Sequence, residues 1–287
     1  MKWFLYFLFA FFIFFLINFN KSRSFIHREL NLHPSQIESD SPLFSLTETE
    51  YVFNSDNQKI AYYSFPVRKP KAVVILAHDY SNPGGKNQML SHVAYLNEAS
   101  YSVYLLDFRS FGESDGQKIY LGSKEWQDLE SLYDYVSSLS ENRGHKIGYL
   151  GFSMGAVSAI NSVAKTGKGD FIIASTPYAS IDSFYQFRLN ENIFSVFFFT
   201  KPALVTELGT DSQKITPENL ISKIEVPIII FSAKNDSHVN SQDAERLYDL
   251  IKTNLQKEFW QADSDHDIFS TLPGEFQQHV LSFLAKI

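Results

Sequence analysis

The apolar positions of this chain follow three successive patterns. The first is one unbroken run. Trp3 to Ile17 ("WFLYFLFAFFIFFLI") carries no charge, and with Asn18 and Phe19 the stretch reaches 17 residues. At about 1.5 Å rise per residue, a helix of that length covers roughly 25 Å, near the lower limit for crossing a bilayer. The second pattern, over residues 20 to 46, is polar, mixed and Ser-rich, with Pro34 and Pro42. It reads as a tether joining a membrane segment (1–19) to a domain. The third begins at residue 47 and alternates. "TETEYVF" and "KIAYYSF" flank the turn-rich "NSDNQ" and predict a hairpin.

Beyond the hairpin, short apolar runs take turns with helix-spaced positions. "KAVVILA" (71–77) is a continuous, largely β-branched run, as a strand buried on both faces requires. "SVYLLD" (102–107), "KIGYL" (146–150), "DFIIAS" (170–175), "VPIIIFSA" (226–233) and "KEFWQ" (257–261) are further strands. Met89, Val93 and Leu96 recur at helical spacing, as do Trp126, Leu129, Tyr133 and Val136. Helices are also predicted over 156–164, 241–252 and 274–286. The alternation implies an α/β domain over 47–287, with a mainly parallel sheet and helices on both faces. The interval 176–225 breaks the rhythm. It is too long for a connection and holds the dense stretch "NIFSVFFFTKPALV". It reads as a small helical cap over the strand ends.

Composition narrows the picture. A net charge of −7 excludes a general nucleic-acid binder, which needs a basic face. The absence of cysteine excludes disulfides, thiolate metal sites and cysteine nucleophiles. The N-terminal run is longer than the usual core of a cleaved signal peptide, and only a weak small-residue site (Ser22, Ser24) follows it. A retained, single-pass anchor is therefore expected, with membrane as a partner. Lys2 and the amino terminus face Lys21, Arg23 and Arg28 across it. That margin is too small for charge counting to set the side of the membrane.

Chemistry enters at "YLGFSMGAVSAI" (149–160), where an apolar strand turns into a helix through Gly-x-Ser-x-Gly. A serine on so sharp a turn is held in a strained backbone conformation, with its hydroxyl pushed out over the sheet edge. Gly151 and Gly155 stand where side chains would collide. Ser153 is the candidate nucleophile. A serine hydroxyl needs a base, and the base needs an orienting carboxylate. Asp236 lies just past the strand at 226–233, and His266 just past the strand at 257–261. The order Ser–Asp–His is the one this architecture uses. The backbone N–H groups of Met154 and Tyr80 are the expected oxyanion donors.

Other polar residues carry less. Asp263, Asp265 and Asp267 read as solvated turn residues, Asp243 as an exposed helix acid, and His238 as lining its loop. His78 is expected to hold a loop by hydrogen bonds. His27, His33, His92, His145 and His279 have no supporting pattern. No cluster has metal-ligand spacing, so neither a metal nor a cofactor is expected.

The motifs "VVILAHDYSNPGG", "LLDFRSFGESDG", "GYLGFSMGA", "VPIIIFSAKNDSHV" and "DSDHDIF" together resemble the α/β-hydrolase superfamily over roughly residues 50–287, most closely its membrane-tethered bacterial serine hydrolases. The resemblance implies an esterase, lipase, thioesterase or peptidase. It also implies structural roles for Asp107 and Arg109. One position departs: His78-Asp79 stands where the superfamily usually has His-Gly, and a carboxylate turned inward there would oppose an oxyanion. The expected reaction is hydrolysis of a carboxylic ester or thioester, with a small acyl or lipid-like substrate as partner. Phe194, Phe197, Phe198 and Phe199 are candidates to line an acyl pocket, meet the bilayer, or pack on the core. A serine peptidase and a non-catalytic membrane-anchored binding protein are the alternatives.

Overall fold

A computed structural model describes residues 2–34, 47–81, 83–190, 195–252 and 256–287, apart from the side chains of Val196 and Phe197. Phe194, Pro42 and residues 35–46 of the expected tether lie outside the described residues, as does the Phe197 side chain.

The sheet has eight strands in the order β1-β2-β4-β3-β5-β6-β7-β8. Their ranges are β1 Glu50–Phe53, β2 Lys59–Phe65, β3 Ala72–Ala77, β4 Ser102–Leu106, β5 Lys146–Phe152, β6 Ile172–Ser175, β7 Ile228–Ala233 and β8 Lys257–Ala262. The first two form the predicted hairpin, and β2 pairs antiparallel with β4. All remaining pairs are parallel. Every residue of β3 and β7 is buried, which is why those runs show no polar alternation.

Helices cover both faces: α2 (Val93–Glu98), α3 (Trp126–Ser138) and α4 (Met154–Thr166) before the cap, and α8 (Ser241–Leu250), α9 (Ile268–Thr271) and α10 (Pro273–Leu284) after it. Two apolar clusters, one per face, make the core.

The interval 176–225 is helical, as expected of a cap. It holds α5 (Ile181–Arg188), a π-helical turn at Val196–Thr200, α6 (Lys201–Leu208) and α7 (Pro217–Leu220). Ser180 starts α5 with a capping box. Its Oγ accepts from Ser183 N at 3.1 Å, and Ser183 Oγ accepts from Ser180 N at 3.1 Å. Asp243, read from sequence as an exposed acid, is buried. It accepts hydrogen bonds from Ala179 N and Ser183 Oγ and so fastens the cap to α8. Burial pushes its carboxyl above the usual range.

The N-terminal helix α1 departs from expectation. It runs from Lys2 to Leu30, eleven residues past the apolar stretch and into the segment read as a tether. Residues 3–17 present large apolar side chains to the outside. Ile26 and Leu30, one turn apart, are fully buried on the domain. Arg23 and His27 bond Glu207 of α6 at 2.9 and 3.0 Å. Polar residues with a packing partner on one face continue a helix readily, because tertiary contact supplies most helical stability.

Candidate active site

Ser153 sits between β5 and α4 with φ 48° and ψ −111°, a region other residues avoid. The turn is fixed by backbone alone. Ser153 N–H donates to Ser175 O at 2.8 Å on the neighbouring strand. A Cβ on Gly151 would strike the Gly155 carbonyl, and one on Gly155 would strike the Ala77 carbonyl of β3. Met154 opens α4, so its backbone N–H has no carbonyl partner within the helix.

The structure brings Asp236 and His266 together. His266 Nδ1 lies 2.8 Å from Asp236 Oδ2, and the aspartate side chain is only 1% exposed. Asp236 Oδ1 accepts from His238 N at 2.8 Å and Val239 N at 2.9 Å, so its orientation is set by its own loop. That loop is laced to the next one. Asn235 N–H donates to Ser264 O, and Ser237 N and Oγ both donate to Asp265 Oδ1 at 2.8 Å. Asp265 Oδ1 also accepts from His266 N at 2.7 Å, and that bond, then those from Ser237, hold the Asp265 carboxyl below its usual range. Asp263, Asp265 and Asp267 are exposed, as expected.

Ser153 and His266 face one cleft of about 260 Å³, shared with Asp79, Tyr80, Phe184, Arg188 and His238. No direct hydrogen bond joins Ser153 Oγ to His266 among the described residues. Such contacts in unliganded sites are often long and tighten around substrate. A smaller cavity of about 90 Å³, lined by Met89, His92, Phe152, Thr176 and Phe269, shares His266 and Asp79 with the cleft. His92 there is neutral, because burial pushes its imidazole down to about 3.

The loop after β3 is built around His78. This histidine is fully buried between Phe108 and Phe111, accepts from Phe108 N at Nε2 (3.0 Å), and meets Asp79 O at Nδ1 (2.7 Å). Both ring nitrogens are used in holding loops. Asp79 turns its carboxylate onto Ser81 Oγ at 2.8 Å.

Asp107 and Arg109 stabilise the neighbouring loops. Lys86 Nζ donates to Asp107 Oδ2 and Glu113 Oε2, both at 2.7 Å, with Lys86 wholly buried. Burial alone would lower that amine, but Asp107 and Glu113 outweigh it and keep it charged. Arg109 forks onto Asp128 and reaches Asp56 at 2.7 Å.

Asp236, His238 and His266 place ligand-type atoms within 4.8 Å of one another, the nearest approach to a metal constellation among the described residues. The Asp236 carboxylate already meets three N–H groups there, which suits it to orient an imidazole. Arg188, Phe184 and Thr176 also line the cavities and were missed from sequence. Nothing local marks them, since the cap and the end of β6 bring them in from elsewhere.

A strained serine at a strand–helix turn, over a parallel sheet with an Asp–His pair at adjacent strand ends, defines an α/β hydrolase. The family model described as serine aminopeptidase, S33, matches residues 68–216, just over half of the chain, and the chain belongs to this family. Relatives include Bacillus subtilis YqkD, 28% identical over 197 residues, which are 66% of this chain and 62% of that protein. Salmonella typhi YfhR is 27% identical over 71% of this chain and 68% of its own length. Among solved structures, the Pyrococcus furiosus esterase Pf2001 superposes with a TM-score of 0.71 at 20% identity, covering 88% of this chain and 98% of that one. A serine hydrolase involved in carbazole degradation gives 0.58 at 16% identity, over 84% and 100%. At these identities the two structures show the shared fold.

Proposed function

We propose that this hydrolase cleaves carboxylic esters or thioesters, of acyl or lipid-like substrates, through a Ser153–His266–Asp236 triad. The observation that carries the reading is the 2.8 Å bond from His266 Nδ1 to a buried carboxylate, on a cleft that also holds a strained serine. Asp236 keeps the imidazole proton on Nδ1, leaving Nε2 free as general base. Ser153 Oγ attacks the substrate carbonyl as His266 takes its proton. The Met154 and Tyr80 N–H groups hold the oxyanion, each contributing about 3 kcal/mol to the barrier reduction. His266 then protonates the leaving alcohol or thiol, and water it activates releases the acid.

Ser153→Ala in the full chain is expected to abolish fluorophosphonate labelling and to lower p-nitrophenyl ester hydrolysis by at least about 10⁴-fold, with the fold unchanged. Continued labelling would show that another residue is the nucleophile. If no ester is hydrolysed and the wild type does not label, the binding-protein alternative stands.

A second reading, aminopeptidase, has one observation in its favour. Asp79, Asp265 and Asp267 rim the cleft, while its one arginine, Arg188, is tied to Glu29. Such a rim attracts an ammonium group. Faster turnover of aminoacyl amides than of esters would select this reading.

The exposed apolar stretch of α1 supports a membrane anchor. Intact-mass measurement of the membrane-extracted protein distinguishes a retained helix from a cleaved signal.

A further inference from the structure

The last two turns of α1 reach the cleft. The Glu29 side chain, 17% exposed, accepts at Oε2 from Tyr80 Oη at 3.1 Å and from Arg188 Nη2 at 3.3 Å. The Glu29 backbone carbonyl accepts from the same phenol at 3.1 Å. Both partners line the cleft with Ser153. The Arg188 guanidinium lies 5.8 Å from the Tyr80 ring centre and 5.4 Å from that of Phe184, and Tyr80 meets Phe184 edge-on at 6.2 Å. We infer that Glu29 is a positioning residue for the oxyanion loop, so that the end of the N-terminal helix is a wall of the active site. The inference rests on the reading of Ser153 as nucleophile and of Tyr80 N–H as an oxyanion donor.

The loop leaves the sheet at Ala77, is held at its start by His78, whose Nε2 accepts from Phe108 N, and is fastened at its end at Lys86, whose N–H donates to Asp107 Oδ1 at 2.6 Å. Between these points, Ser81 is held by Asp79 within the segment at 2.8 Å and by Gln88 just beyond it at 2.6 Å. Among the described residues, Tyr80 makes its side-chain hydrogen bonds to α1. A phenol held at its far end restricts where its own backbone N–H can point. Burial, and then the Glu29 charge, push the phenol's pKa up, so it stays a donor at any working pH.

The support is itself firmly placed. Ile26 and Leu30 are fully buried, Leu30 O accepts from Ile119 N at 2.8 Å, and Phe25 packs edge-on against Tyr185. Farther up α1, Phe14 and Phe15 contact Phe199 of the cap, 6.0 and 5.7 Å between ring centres. Helix and cap therefore present Glu29 to Tyr80 as one surface.

Glu29→Ala, Glu29→Gln, Tyr80→Phe and Leu132→Ala in the full chain, in detergent micelles, test the proposal. Turnover of a p-nitrophenyl ester is normalised to serine titrated by fluorophosphonate, and hydrogen exchange is followed over residues 78–85. Glu29→Ala and Tyr80→Phe should each lower kcat about tenfold, a fraction of what losing an oxyanion donor outright costs, with KM changed less than about threefold. Both should speed exchange in the loop. Glu29→Gln keeps an oxygen acceptor for the phenol and should stay near wild type in both readouts. Leu132→Ala removes core packing on α3, away from α1, and should lower the melting temperature while kcat per titrated serine holds.

Wild-type kcat and loop exchange in Glu29→Ala overturn the proposal. So does an equal loss of kcat in Leu132→Ala, which would make the effect one of general packing. Should the wild type prove to have no esterase activity, the reading of Ser153 fails on that ground, and the exchange data decide the Glu29 contact independently.

Discussion

Ser153 and Tyr80 line the same cleft, yet the serine is placed by its immediate neighbours and the tyrosine by a glutamate 51 positions away. The serine's turn is closed by β5, α4 and two glycines that admit no side chain. Asp236 and His266 belong to the same sheet-borne half, since each leaves a strand end and their loops bond each other. The Tyr80 half depends on α1 and the cap, elements that lie outside the sheet and pack on it through Ile26, Leu30 and Phe184. The serine's turn is thus fixed by backbone packing within the sheet, while Tyr80 is held by a side chain from α1.

Three perturbations probe that contrast, the largest first. Asp236→Asn keeps the bonds from His238 N and Val239 N but turns an amide N–H toward His266. The imidazole must then accept at Nδ1 and carry its proton on Nε2, where Ser153 needs a base. A fall in kcat of about 10⁴-fold is expected, roughly 5 kcal/mol, with stability little changed. A loss below about tenfold would separate Asp236 from the chemistry.

Gly155→Ala tests the same half through the backbone. The added Cβ would meet the Ala77 carbonyl, and a strand carbonyl at the sheet's centre cannot yield. Urea unfolding should show at least about 3 kcal/mol of lost stability.

The third concerns the α1 half. Burial would raise the Glu207 carboxyl, but bonds from His27 and Arg23 and the charge of Lys118 pull it down to about 2. An unfolded glutamate titrates near about 4.3. The stabilisation is therefore complete above that pH and is lost as pH falls toward 2. Because Arg23 and His27 are exposed, water screens the effect to the order of 1 to 2 kcal/mol. Unfolding at pH 5 and pH 3 should show a larger drop in the wild type than in Glu207→Gln. An equal drop in both would remove Glu207 from the helix attachment.

The same division decides what could be read from the chain. Buried strands, the serine turn and the Asp–His pair each leave a mark within a few residues: β-branched runs, Gly-x-Ser-x-Gly, and polar groups just past strand ends. The structural roles of Asp107 and Arg109 came with the family motifs, and that of His78 from its place at a strand end. The extension of α1 to Leu30 was missed because Lys21 to Arg28 reads as polar linker until Ile26 and Leu30 are seen to share a buried face. Asp243 was misjudged for a similar reason: its partners, Ala179 and Ser183, lie about sixty residues upstream. Contacts of that range leave no periodicity to read.

One consequence of α1 being continuous concerns orientation. Twenty-nine residues of unbroken helix extend about 44 Å. A flexible leash would let the catalytic body tumble beneath its attachment point. A stiff rod packed against the cap from Phe14 inward would act as a mast, and would fix both the height and the tilt of the cleft relative to any membrane that held its outer turns.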